Sequence, residues 1–257
     1  MPFPNYEGKH ALQPVFSASD SVENRRRAGK QSLSIAPPAA IVCFQPSLRD
    51  WIAKKYTIKP TDAPFLSILH CPDGADIGIV EGFGFGAPSA VSALERVIVM
   101  GAERIVIVGL AGALQKHQQI GDIVICDRAI RDEGTSYHYV SPAKYALPSK
   151  SLTELLTDEL GRGKRPYTVG TTWTTDAPYR ETREEILQYQ AEGVLTVEME
   201  ASAVFALGTV HRTHAAAAFV ISDTLGDLSW NAQFHSKLTK NSLRSLFSAV
   251  LGALENG

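Results

Sequence analysis

No apolar run in the 257 residues approaches the roughly 18 that a membrane-spanning helix needs, so a membrane partner is not expected. Charge of one sign is also lacking. Twenty-five Lys and Arg stand against 27 Asp and Glu, and the formal net charge of −2 gives no reason to expect nucleic acid as a partner. Cysteine is scarce: Cys43, Cys71 and Cys126 are too few and too far apart for a disulfide framework or a zinc site, which points to a reducing compartment. Residues 1–13 contain no hydrophobic stretch of the kind a secretory signal requires, so a cytoplasmic location is expected. Nor is there a Gly-x-Ser-x-Gly elbow or a paired Cys/His signature, which disfavours hydrolase-type nucleophilic catalysis. His211 and His214 lie three apart with His235 downstream, but solvent-facing histidines are the simpler reading and no metal is expected.

What is present reads as one ordinary globular domain. Apolar residues make up 44% and charged residues 20%, enough to build a sizeable core without the signature of disorder. Residues 1–38 read as an N-terminal extension, a loose arm closed by Pro37–Pro38, with Arg25, Arg26 and Arg27 as a solvated turn. From residue 39 to 257, apolar runs alternate with amphipathic stretches. Strands are expected at Ala40–Phe44, Ile77–Val80, Ile105–Val108, Ile123–Cys126, Leu195–Val197 and Ala215–Ile221. Helices are expected through Leu48–Tyr56, from Pro88 to Gly101, over Ala201–His211 and over Lys240–Leu254. Continuous apolar strands alternating with helices argue for a sheet covered on both faces, an α/β fold of three layers.

Four stretches could carry chemistry. Glu81-Gly82-Phe83-Gly84-Phe85-Gly86-Ala87-Pro88-Ser89 joins a strand to a helix. Its glycines would let the backbone approach a ligand, although a plain tight turn has the same signature. Gly109-Leu110-Ala111-Gly112 sits at a strand's carboxyl end, where open α/β sheets bind ligands. Val197-Glu198-Met199-Glu200 brings two carboxylates into a helix start, which negative charge alone would also stabilise. Ser222-Asp223-Thr224 ends an apolar strand and reads equally as a cap or turn.

Together and in this order, these stretches resemble the nucleoside phosphorylase and nucleosidase superfamily. The likeness runs from about Ile41 to the end and includes Gly84–Ser89, the unbroken stretch Gly101–Asp122, Val197–Glu200 and Ser222-Asp223. It implies a three-layer αβα phosphorylase-like fold with a mixed central sheet, and a pentosyltransferase that cleaves the N-glycosidic bond of a nucleoside. It implies that Glu200 holds the ribose hydroxyls, Met199 packs on the sugar, and Glu198 lies near the base and the 2′-hydroxyl. Asp223 would protonate a purine at N7, with Ser222 orienting it; burial favours a carboxyl that keeps its proton. No cofactor is implied beyond phosphate as co-substrate, and a homo-oligomer is expected because related sites borrow residues from neighbouring subunits.

The chain departs from the family at the acceptor site. Ile107 and Leu110 stand where phosphorylases place an arginine and a Ser or Thr, and neither can donate a side-chain hydrogen bond to phosphate. Gly84, Gly86, Gly109 and Leu110 would form the acceptor loops, with Arg49 near them but one residue late in Phe44–Arg49. Water is the competing acceptor, yet Gln45 stands near the place where hydrolytic relatives carry a glutamate. Glu81 or Glu133 are the substitutes in view. The base would stack on Tyr179 or Trp173, unless both are core. A nucleosidase and a non-catalytic nucleoside-binding protein are the alternatives.

Overall fold

In the computed structural model residues 4–72 and 74–256 are described. Strand β1 (Ala39–Cys43) is buried at all five positions because it has neighbours on both edges and both faces. α2 (Pro46–Lys55) follows, with proline in its first turn where a missing N–H costs nothing. The antiparallel β2 (Ile58–Pro60) and β3 (Leu66–Leu69) lead to β4 (Ile77–Val80). α3 (Ala87–Val99) leaves the glycine loop, and β5 (Arg104–Ala113), β6 (Ile123–Asp132) and β7 (Tyr145–Ala146) come next. After α4 (Lys150–Arg162) come β8 (Thr168–Thr175), α5 (Arg183–Ala191), β9 (Thr196–Glu198) and α6 (Ala201–His211). β10 (His214–Thr224), β11 (Asn231–Ala232) and α7 (Lys237–Asn256) complete the chain.

The fold is a three-layer αβα sandwich on a mixed sheet. Alternate residues of one strand pack on opposite helical layers, as a period of two requires. Ala40 and Val42 of β1, with Ala217 and Phe219 of β10, meet α3, α6 and Val22. Ile41 and Cys43, with Ala218 and Val220, meet α2, α4 and α7. α6 is buried at every position from Ala201 to Gly208, which suits a helix apolar on all sides.

The sheet does not stay open. β5 outruns β1, and its last residues Gly112 and Ala113 pair with β9 instead. β10 pairs with both β5 and β6, while β8 bridges β6 and β9, so β5, β10, β6, β8 and β9 form a closed ring. A closed ring has no free strand edges. Between Ile221 and Asp223 the ladder skips Ser222. Such a bulge re-aims the side chains beside it.

The N-terminal extension is not a loose arm, although residues 1–3 of it lie outside the described residues. α1 (Ala18–Arg27) starts with a reciprocal cap in which Ser17 and Asp20 bond each other's backbone N–H at 3.2 and 2.8 Å. It packs on α3 through the buried Val22. Arg25 and Arg26 are not a solvated turn either: as the last turn of α1 they donate to backbone carbonyls of residues 30–34 and of Asp62, fixing the path into β1. Helices α4 and α5 and strands β2, β3, β7, β8 and β11 are also present and were unforeseen from sequence.

Candidate functional site

The carboxyl ends of β5 and β10 lie side by side and meet β9, which runs antiparallel to β5. Gly112 of β5 lies opposite Val197 of β9 on one edge and Asp223 of β10 on the other. A Cβ at Gly112 would come within 3.1 Å of both Asp223 Oδ2 and Val197 Cγ1, so any larger residue would push these neighbours back by a few tenths of an ångström. Val197 and Asp223 are thus brought against Gly112 from two sides, and Glu198 and Glu200 follow Val197 along the chain.

The glycine loop completes this wall. Gly82, Gly84 and Gly86 have φ of 74°, 95° and 88°, left-handed values that strain any other residue. The turn aims the Gly86 N–H at Glu200, whose Oε1 accepts it at 2.5 Å. Glu198 serves the helix instead. It accepts from Thr174 Oγ1 at 2.5 Å and from the backbone N–H groups of Glu200 and Ala201 at 2.7 and 2.8 Å, capping donors that α6 cannot satisfy internally. Thr174 in turn accepts from Ser202 N, and Ser202 Oγ donates to Glu133 at 2.9 Å. Glu133 also accepts from Ser136 N at 2.8 Å, which ties the loop after β6 to the same helix start.

Burial pushes both glutamates upward from the usual carboxylate range. For Glu198 the three donors pull against burial, with Glu133 adding to the rise. For Glu200 the charge of Glu198 adds to burial, and the Gly86 N–H opposes them. A carboxylate has room for about four donors, so Glu200 can still accept from a ligand. Met199 is half-buried between the two.

Ser222 Oγ donates to Asp223 Oδ1 at 2.8 Å, and Trp230 Nε1 donates to Oδ2 at 2.9 Å. β11 secures this contact by pairing Ala232 with Asp223 and Asn231 with Thr224. Burial, then the charge of Asp223, raises the nearby Glu181 carboxyl to about 7. Trp230, Glu181 and Thr174 were not foreseen, because nothing in their local sequence marks them.

The remaining candidates divide. Trp173 belongs to the core: it is 1% exposed, packs on Tyr189 at 4.8 Å and donates to Asp132, so it has no face for a base. Tyr179 is 98% exposed on a short turn of helix. Gly109 lies within β5, where a Cβ would meet the Phe219 ring at an ordinary contact distance of 3.4 Å. Ile107 is fully buried against the α3–α6 layer, and Leu110 packs toward the α2–α7 layer. Arg49 is half-exposed and donates to Asp50 at 3.1 Å. A hollow of about 290 Å³ between Ser149, Arg212 and His214 lies elsewhere and contains none of these groups. Among the described residues no cluster of three or more His, Cys, Asp or Glu could hold a metal, and no helix is long and apolar enough to cross a membrane.

The sequence pattern of the Phosphorylase superfamily matches residues 71–253. Guanosine phosphorylase of Halorubrum lacusprofundi is 37% identical over 136 residues, which span 52% of this chain and 56% of that protein. The match therefore covers little more than half of that relative. Uridine phosphorylase of Haemophilus influenzae is 29% identical over 65% of this chain and 73% of its own length. Among solved structures, uridine phosphorylase from Vibrio fischeri shares 25% identity with a TM-score of 0.74, covering 86% of this chain and 93% of that one. Purine nucleoside phosphorylase from Toxoplasma gondii, 16% identical with a TM-score of 0.76 over 86% of this chain and 91% of its own, shares the fold.

Proposed function

Given that the chain belongs to the Phosphorylase superfamily, the enzyme family of nucleoside phosphorylases and nucleosidases, we propose that it cleaves the N-glycosidic bond of a purine nucleoside. What supports this reading is that the Gly86 N–H holds Glu200 while Asp223 lies against Gly112, which also faces Val197, three residues before Glu200.

Breaking the bond builds positive charge on the sugar. Glu200 would accept the ribose 2′- and 3′-hydroxyls while its carboxylate, buried out of water, favours that charge. Met199 would lie along the sugar. The departing purine gains electron density and needs a proton. Asp223 would supply it to N7, with Ser222 fixing the carboxyl through Oδ1. A pyrimidine has no N7, so this arrangement favours purines. Trp230 is the aromatic surface for the base, since it lies beside Asp223 and is 66% exposed.

Nucleoside phosphorylases of this family need no cofactor and use phosphate as co-substrate. By that kinship the sugar would leave as its 1-phosphate. Water is the second reading, favoured by the apolar, inward-packed Ile107 and Leu110. A homo-oligomer and a cytoplasmic location belong to the same proposal. The test is release of base from inosine, guanosine and adenosine with and without phosphate. Asp223→Asn should lower it by about 10²–10⁴-fold, the usual worth of a general acid. Near-normal turnover of that variant removes Asp223 from the role, and nucleoside binding without any product marks a binding protein.

A further inference from the structure

Glu200 occupies the N-cap position of α6, yet its side chain does not cap that helix. A polar residue there ordinarily turns its side chain back onto the free N–H groups of the first turn. In this fold other elements take those donors. Glu198 of β9 accepts from the N–H groups of Glu200 and Ala201, and Thr174 of β8 accepts from Ser202 N at 3.0 Å. The Glu200 carboxylate is thereby released to the Gly86 N–H and to a ligand.

A third support comes from Glu133, the residue that follows β6. Its Oε1 accepts from Ser202 Oγ at 2.9 Å and its Oε2 from Ser136 N at 2.8 Å, and both serines are fully buried. Arg131 braces the far side: Nε donates to Ser136 Oγ at 2.8 Å and Nη1 to the Ser141 carbonyl at 2.7 Å. Glu133 is itself 4% exposed. Taking a carboxylate out of water costs free energy, and a serine hydroxyl in a first helical turn can be met by a neutral acceptor instead. What the charge adds at that cost is a rigid link, since charge-assisted hydrogen bonds are shorter and stronger than neutral ones. Ser202 is therefore held twice, by its N–H on Thr174 and by its hydroxyl on Glu133, two residues along the chain from Glu200.

We propose that Glu133 is a positioning residue: through Ser202 it fixes the first turn of α6 at the place from which Glu200 reaches the ribose hydroxyls. This rests on the reading of Glu200 as the sugar-holding carboxylate and adds the residue that sets its accuracy. With both oxygens engaged, Glu133 acts through Ser202 and not on the substrate. The consequence is selectivity for the sugar. A nucleoside that offers Glu200 two hydroxyls gains twice from correct placement, and one that offers a single hydroxyl gains once. Misplacement by about 1 Å at a reacting centre costs as much as ~10²-fold in rate, so a loosened helix start is visible in turnover.

The experiment measures base release by the full chain from inosine and from 2′-deoxyinosine, which lacks one of the two hydroxyls, with phosphate present. Glu133→Ala should lower kcat/KM about 20-fold for inosine and about fivefold for 2′-deoxyinosine. Glu133→Gln keeps an acceptor and should fall between Glu133→Ala and the unaltered protein. Ser202→Ala breaks the same link from the other side and should give the same unequal pair of losses, with little further loss when it is combined with Glu133→Ala. It also serves if the Glu133 variants do not fold. Equal losses on the two nucleosides, or losses under about twofold on both, overturn the positioning role and leave the cleavage reading intact. Losses that add in full in the double variant overturn the link through Ser202. No release from either nucleoside by the unaltered protein removes the cleavage reading itself, and this proposal with it.

Discussion

Around Glu198, Glu200 and Asp223 each carboxylate is met by donors from the chain itself. Glu198 has three, Asp223 has two, and Glu200 has the Gly86 N–H. At the carboxyl ends of β1 and β4, the buried oxygens Gln45 Oε1 and Glu81 Oε2 have none. The first region is organised before any ligand arrives, so binding there need not reorder the protein. At the second, two acceptors are left without a donor among the described residues. The two regions are thus differently satisfied within the fold, and substitutions can separate their contributions in solution.

The largest expected effect at the organised end is that of Glu200→Gln. The amide oxygen can still take the Gly86 N–H, but the charge-assisted bonds to the sugar are lost. kcat/KM should fall on the order of 100-fold, the value of one such bond. The melting temperature should hold, because a costly buried charge is removed as well. Steady-state base release together with a thermal melt reads both, and a loss under about threefold would place the sugar elsewhere.

Trp230→Phe sharpens the contrast more gently. It keeps a ring beside Asp223 and deletes only the donated hydrogen bond, so release should fall about fivefold, near 1 kcal/mol. In the unaltered protein, inosine should change the emission of Trp230, while the buried Trp173 stays silent. Emission that does not respond to nucleoside would detach Trp230 from the base.

The smallest effect is on stability. The Glu181 carboxyl is raised from 4.5 to about 7 by burial and by Asp223, so the folded state holds its proton more tightly than the unfolded chain. The stability this contributes is complete below about 4.5 and is lost as pH rises through about 7. Glu181→Gln should therefore melt higher than the unaltered protein above that range, on the order of 2 °C. The gap should close in acid. A constant gap across the pH range would show that Glu181 does not titrate against Asp223.

Much of this site was legible before any coordinates. Glu198-Met199-Glu200, Ser222-Asp223 and the glycine loop announce themselves by residue type and by position at element ends, and α6 lies over Ala201–His211 as read. The misses have local causes. β8 is mostly Thr and Gly with no apolar alternation, so Thr174 carried no signal. α1 is polar enough to pass for an arm, and only its capping box and Val22 betray it. Trp173 read as either stacking surface or core, and the residues around its ring made it core.

By itself the sequence determined what neighbours along the chain can enforce: which runs are strands, where glycine must take a left-handed turn, and which carboxylates stand at a helix start. The tertiary structure alone decided which of these groups meet. Gly86 reaches Glu200 across 114 residues and Thr174 reaches Glu198 across 24. The ring closes over Gly112, and the bulge at Ser222 turns Asp223 toward Trp230. The reason is physical. Backbone preferences act over a few residues, whereas a closed ring of strands has a register fixed only once every strand has found both partners.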